Sequence, residues 1–389
     1  MTAGYGPTAA PAPTPALARE STLRRLDWPL LLGALALSGI GAVLVWSATL
    51  SNDRLTGGDP TAYLKKHLLN LAIGLVLGAV ASTFDYRLLR AYAPIVYGAA
   101  LTGLVAVLTP LGSTINGSHS WIVLPAGFSV QPSEFAKVAI VVGMAMILAE
   151  RRDAEPVPGP VEIVLALALA AVPLGLILLQ PDLGTALVVS CVVLGVLAVS
   201  GAPARWLVGL VLAGLLAVVF AVQLGVVKDY QLDRLSSFVD PSADPRGTAY
   251  NQRQAGIAIG AGRLTGQGLF SGAQTQGDFV PEQQTDFIFT VAGEELGLVG
   301  AGGILALLGV VLWRVGRVAS RAEDLFGRLV ATGVLCWFAF QAFENVGMAL
   351  GIMPVTGVPL PFVSYGGSSM FANLIAVGLV QNVRARATA

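Results

Sequence analysis

Residues 161–200 read VEIVLALALAAVPLGLILLQPDLGTALVVSCVVLGVLAVS. The string Gln180-Pro181-Asp182-Leu183-Gly184 interrupts what is otherwise one apolar run. A helix needs about 20 mostly apolar residues to cross ~30 Å of hydrocarbon. The run therefore holds two crossings, 161–180 and 183–200, joined by a tight turn with Asp182 as the N-cap of the second helix. Working outward, the same reading gives stretches at 28–50, 67–83, 88–109, 132–150, 205–227, 286–313, 327–352 and 363–383. The sequence predicts an all-α integral membrane protein of about ten transmembrane helices.

Composition agrees. Charged residues make up 12% of the 389, where soluble domains carry roughly 25%, and hydrophobic residues make up 55%. That hydrophobicity excludes a disordered chain. A net charge of +0 gives no basic excess for nucleic acid. Two cysteines support neither a disulfide framework nor a cysteine zinc site. The first apolar stretch is too long for a signal-peptide core and follows a polar, Pro/Ala/Thr-rich segment. Residues 1–25 read as a disordered cytoplasmic tail and 26–389 as one polytopic domain.

Lys and Arg concentrate in cytoplasmic loops. With the N-terminus inside, the inner segments hold Arg19, Arg24, Arg25, Arg87, Arg90, Arg151, Arg152, Arg205, Arg314, Arg317, Arg321, Arg328, Arg384 and Arg386. The outer segments hold Arg54, Lys65, Lys66 and five cations in residues 228–285. This bias puts both termini in the cytoplasm and makes 228–285 a large extracellular loop between helices 7 and 8. Loops that long are usually functional. This one is expected to pack as re-entrant or interfacial helices over the membrane domain.

Ionisable groups inside spans are costly and mark candidate sites. Glu134 and Lys137 stand at i, i+3 on one helix face. They are either a self-neutralising packing pair or a substrate contact. Glu294 and Glu295 point about 100° apart on a helix, so at least one must reach another element; they and Glu344-Asn345 read as structural pairings or catalytic groups. His67 and His119 carry no metal-ligand spacing, and Cys191 and Cys336 read as packing residues. Asp286 opens the eighth span. It is either an N-cap helped by the helix dipole or, half-buried against Phe287 and Phe289, a general base. Residues 353–369 hold three prolines and three glycines, then Ser368 and Ser369 at a helix start. That start offers N–H groups to an anion or a close helix contact.

Taken together, QPSE (131–134) with Trp121 and Lys137, QPDLGTA (180–186), DPRGTAYNQRQAGIAIGAG (244–262), GQGLFSGAQ (266–274), FVPEQQTDFIF (279–289) with GEELG (293–297), and PVTGVPLPFVSYGGSS (354–369) resemble the SEDS family (shape, elongation, division and sporulation). The resemblance runs from about residue 25 to 383. Gly272-Ala273-Gln274 and the GVPLPF run look more like the rod-shape branch than the division branch.

The resemblance implies a peptidoglycan glycosyltransferase of the bacterial cytoplasmic membrane. Such an enzyme polymerises lipid II on the outer face with inversion and expels undecaprenyl diphosphate. It works beside a class B penicillin-binding protein, among membrane lipids and with no nucleic acid. Asp286 is then the essential carboxylate, and Trp121, Glu134 and Lys137 match functional family positions. This chain departs from the family pattern at cationic sites: His119-Ser120 replaces Lys-Arg, Gln267 replaces Lys, and Gln283-Gln284 replaces Arg-His. Arg246, Arg253, Arg263 and Lys137 are left as the candidate cations for the diphosphate, with Ser368 as a further substrate contact. No metal-ligand cluster is visible in the sequence, although the chemistry is compatible with a divalent cation. An alternative reading is a flippase or transporter of the lipid-linked precursor, against which no inverted repeat is evident. A third is a scaffold that recruits the transpeptidase.

Overall fold

The computed structural model describes residues 25–115, 118–124, 128–150, 157–225 and 248–386. The tail and Arg246 lie outside the described residues. The expected stretches are helices: α1 Trp28–Thr49, α2 Ala62–Thr83, α3 Tyr86–Val107, α4 Pro132–Ala149, α5 Pro160–Leu179, α6 Leu183–Val199, α7 Ala204–Gln223, α9 Ile288–Arg321, α10 Leu325–Ala349 and α11 Gly367–Arg386. Helix α8, Thr248–Gly262, lies within the long loop. Among the described residues, eight helices are long and apolar enough to cross a membrane. Helix α6 is a shorter apolar helix, and α11 carries Asn373, Gln381 and Asn382.

Local signals start these helices. Asp27, Asp182 and Asp324 are N-caps, accepting from Leu30 N, Thr185 N and Gly327 N at 3.1, 3.0 and 3.0 Å. The Asp182 turn is thus as the sequence predicts. Helices α4 and α10 form the centre, with most residues buried; no residue of α7 is buried, and it packs along α6. Helices α2 and α11 cross through glycines: a side chain at Gly378 would strike the Gly78 carbonyl. Small residues at such a crossing let membrane helices approach closely.

The all-α expectation needs one amendment. Strands β1 Gly112–Ile115, β2 Ser118–Val123 and β3 Ser129–Val130 form an antiparallel sheet in order β1-β2-β3 between α3 and α4. Ser113 pairs with Trp121, and Ile122 with Val130. These strands are too short and too polar to stand out in a search for apolar runs.

Helix α9 also differs from its stretch. It extends to Arg321 and breaks at Gly297, whose φ of 66° leaves the helical region. The break exposes backbone groups that need partners. Residues 263–268 supply them: Gln267 N and Gly268 N donate to Glu294 O and Glu295 O, while Leu298 N and Val299 N donate to Arg263 O and Leu264 O, all at 2.9–3.1 Å. Helix α8 packs on α9.

Polar bonds tie the two ends of the bundle separately. At one end, Asp27 is fully buried and holds Arg314 at 2.6 Å and Arg384 at 2.9 Å, joining α1, α9 and α11. Tyr86 Oη donates to Asp324 Oδ1 at 2.9 Å there. At the other end, Asn52 Nδ2 donates to Asp278 Oδ2, Gln283 Nε2 to the Ala48 carbonyl and Gln131 Nε2 to Asp182 Oδ2, at 2.7, 2.9 and 3.0 Å. The sheet, the described part of the long loop and the 353–366 connection all gather at this second end.

Candidate active site

Asp286 is half-buried in a run of turns at 281–287 that leads into α9. It does not occupy the cap position: the N-cap of α9 is Phe287, with no side-chain bond. Three consecutive carbonyls fix its backbone. Gln284 O accepts from Tyr365 N at 2.9 Å, Thr285 O from Ser364 Oγ at 2.5 Å, and Asp286 O from Asn345 Nδ2 at 2.7 Å. The same Asn345 nitrogen donates to Val358 O at 2.7 Å. The Asp286 turn and the 354–369 string are therefore one unit. Gly357, at φ 80°, leaves space beside the carboxylate; a Cβ there would stand 3.3 Å from Asp286 Oδ2.

Helix α10 supplies the second attachment. Gln341 and Asn345, at i, i+4, share one face, and Gln341 Nε2 donates to Pro359 O at 2.8 Å. Lys137 Nζ donates to Glu134 Oε1 at 2.8 Å and to Gln341 Oε1 at 2.9 Å, and sits 4.6 Å above the Trp337 ring. Lys137 is 1% exposed and Glu134 2%. The pair is buried and self-neutralising, and it is tied through Gln341 to the loop that borders Asp286. Isolated burial of these charges would be costly, and pairing with further hydrogen bonds offsets it.

The remaining expected residues are dispersed. Ser368 is buried; its Oγ accepts from Gln131 N at 2.9 Å and donates to Ser129 O at 3.4 Å, anchoring α11 to the sheet. Trp121 is half-buried on β2. Arg253 and Arg263 are exposed on and just after α8. The Arg263 carbonyl bonds Leu298 N, ten residues into α9, so it lies about 15 Å along that helix from its start at Ile288. Gln283 and Gln284, which replace the cationic pair, are buried, and Gln283 bonds the Ala48 and Thr275 carbonyls.

Glu294 and Glu295 each reach another element. Glu294 accepts from Gln274 N, Thr275 N and Thr275 Oγ1 at 2.7–2.9 Å. Glu295 accepts from Ser47 Oγ at 2.6 Å. Sequence reasoning passed over Gln341; its signal was an amide at i, i+4 from Asn345 inside an apolar span.

An apolar groove of 920 Å³ opens beside this region. Its wall includes Tyr86, Ala99 and Gly103 of α3, Ile122 and Val130 of the sheet, and Ile375 of α11. Tyr86 to Gly103 spans about 26 Å of helix, close to the hydrocarbon thickness.

The arrangement is that of a membrane-embedded family with a carboxylate site at one end of the bundle. The sequence model of the FtsW/RodA/SpoVE cell cycle proteins matches residues 28–389, and the chain belongs to that family. It is 37% identical to the probable peptidoglycan glycosyltransferase FtsW of Trichlorobacter lovleyi, covering 95% of this chain and 96% of the relative. It is 37% identical to the peptidoglycan glycosyltransferase MrdB of Escherichia coli K12, covering 92% and 93%. A solved structure titled for coordination of polymerization and crosslinking by a peptidoglycan synthase complex matches at TM-score 0.76 and 34% identity, covering 93% of this chain and 98% of that one. The rod shape determining protein RodA of Thermus thermophilus matches at TM-score 0.67 and 33% identity, covering 92% and 96%.

Proposed function

We propose that this chain is a peptidoglycan glycosyltransferase that polymerises lipid II, with Asp286 as its general base. The observation that carries the reading is the half-buried Asp286, pinned through three successive carbonyls beside Gly357. The names of its relatives agree with it.

In the reaction, the 4-hydroxyl of one GlcNAc attacks the anomeric carbon of the donor MurNAc through an oxocarbenium-like transition state. Asp286 takes the hydroxyl proton as the new C–O bond forms, a contribution of about 10²–10⁴-fold. The old bond to the undecaprenyl diphosphate breaks on the opposite face, with inversion, and the electron pair leaves with the diphosphate. Buried Glu134 and Lys137 act through Gln341 as positioning residues. Among the described residues, no group of three or more His, Cys, Asp or Glu side chains stands together as a metal site.

The cation bias supports ten spans with both termini cytoplasmic, and the Asp286 end facing outward. The apolar groove suits the polyprenyl tail and lets substrate enter from the lipid. A class B penicillin-binding protein is the expected partner; one structural relative is titled for polymerization and crosslinking together. The 272–274 and 357–362 strings favour use in elongation, although the relatives include both division and rod-shape proteins.

Purified protein with its transpeptidase should make glycan from lipid II, and Asp286→Asn should not. Polymerisation by Asp286→Asn at the wild-type rate would sink the base assignment. A flippase or a scaffold would make no glycan at all.

A further inference from the structure

We infer that the N-terminus of α11, together with Lys66 and Asn70 of α2, is the binding site for a lipid-linked diphosphate. The inference rests on the glycosyltransferase reading and names the subsite that this reading leaves open.

The first N–H groups of a helix have no intrahelical acceptor. Among the described residues, no carbonyl or side chain takes the N–H groups of Gly367, Ser368 or Ser369. Gly366 and Gly367 are half-exposed, so this end of the helix is open. Such an end concentrates partial positive charge and N–H donors, which suits phosphate oxygens.

A second observation points to a ligand here. Asn70 is 4% exposed, and its Oδ1 has no hydrogen-bond partner. Its amide reaches to 3.3 Å from where a side chain at Gly367 would begin. Either face of that amide can be turned inward, and the NH₂ face completes a cradle of donors.

A cation stands alongside. Lys66 and Asn70 share a helix face at i, i+4. Lys66 Nζ is 5.7 Å from the Tyr63 ring, and that ring is 4.8 Å from Tyr365, the residue before Gly366. Lys66 has no carboxylate partner among the described residues, whereas Lys65 is paired with Asp59 at 2.8 Å. Lys66 is therefore the candidate cation that the sequence reading did not select.

Position joins the two halves of the substrate. Ser368 bonds both residues that flank Val130 of the groove wall, Ser129 and Gln131. Ile375 of that wall lies seven residues, about 10 Å, further along α11. On the other side, Tyr365 N and Ser364 Oγ bond the carbonyls of Gln284 and Thr285, just before Asp286. A tail in the groove would bring its diphosphate to the α11 N-terminus, with the reacting carbon toward Asp286.

The test is binding of farnesyl diphosphate to the purified full-length chain in detergent, with farnesol and inorganic diphosphate as separate arms. Lys66→Glu and Asn70→Asp should each weaken farnesyl diphosphate by roughly tenfold or more, the scale of one lost charge-assisted bond. Farnesol binding should not change, and Lys65→Glu should match wild type. Gly367→Ala, which crowds the Asn70 amide, should weaken the diphosphate as well. Exposed Lys66 provides the variant least exposed to folding defects.

Wild-type affinity in both Lys66→Glu and Gly367→Ala would overturn the site. So would an equal loss of farnesol. Inorganic diphosphate binding as tightly as the farnesyl form would overturn its lipid-linked character. Glycan formation by the wild-type chain is scored separately. If glycan forms but the variants bind normally, only the subsite fails; if diphosphate binds as expected but no glycan forms, the polymerase reading fails.

Discussion

Asn345 reaches from the centre of the bundle to Asp286: one amide nitrogen donates to the Asp286 carbonyl and, also at 2.7 Å, to the Val358 carbonyl. A single buried side chain thus holds the Asp286 turn and the loop beside it at a fixed separation.

Asn345→Ala leaves two carbonyls without that donor, at about 1–3 kcal/mol each. Small displacement of a positioned base costs turnover: roughly a hundredfold for about 1 Å. Steady-state glycan synthesis should show kcat reduced by about that factor, with KM for lipid II changed by no more than about twofold. A matching rise in KM would make Asn345 a binding residue instead.

Gly357→Ala places a methyl 3.3 Å from Asp286 Oδ2 at φ 80°. Gly351, at φ 73° with nothing within 4 Å, is the control for backbone strain alone. Both variants should lose similar thermal stability, and only Gly357→Ala should lose most of its polymerase activity. Equal activity in the two would show that the space beside the carboxylate is immaterial.

Lys137→Met strands Glu134 in the core. Breaking one partner of a buried pair costs about 3–5 kcal/mol, while replacing both with apolar or neutral groups is often tolerated. Thermal unfolding in detergent should rank Lys137→Met below the double variant with Glu134→Gln. The reverse order would mean that the pair does not act as a unit.

Gly297→Ala should loosen the loop docked at 263–268 rather than the helix bundle. Its φ of 66° and ψ of −167° lie in a region kept almost entirely for glycine, at a cost of about 1–3 kcal/mol for another residue, and its Cβ would press on Gly266 N and Leu264 O. Limited proteolysis should therefore cut faster between residues 262 and 275. Unchanged cleavage there would separate the break in α9 from loop docking.

The helices were legible because a bilayer demands long apolar runs, and the run around QPDLG already implied paired crossings. The break at Gly297 was not legible, because GEELGLVGAGG satisfies the apolar pattern with or without a helix interruption. For Glu134 and Lys137, spacing showed a shared face but not whether it turned to substrate or to Gln341 and Trp337. The loop arginines drew attention by charge alone, yet Arg263 lies at the break in α9. Lys66 sits on a helix whose sequence neighbours are ordinary, and only the packing of Tyr63 on Tyr365 brings it to α11. Asp286 stood out for both its position and its resemblance, but its three pinned carbonyls required the fold.

Those pinned carbonyls carry a last consequence. Every residue has a carbonyl, so the latch at 284 and 285 recognises the path of the chain and is indifferent to what the chain displays. The latch itself is therefore open to Gln283-Gln284 and to Arg-His alike, while the Gln283 amide adds its own bonds to the Ala48 and Thr275 carbonyls. Most of the address of this turn is written on backbone atoms, and its chemistry on the carboxylate that follows.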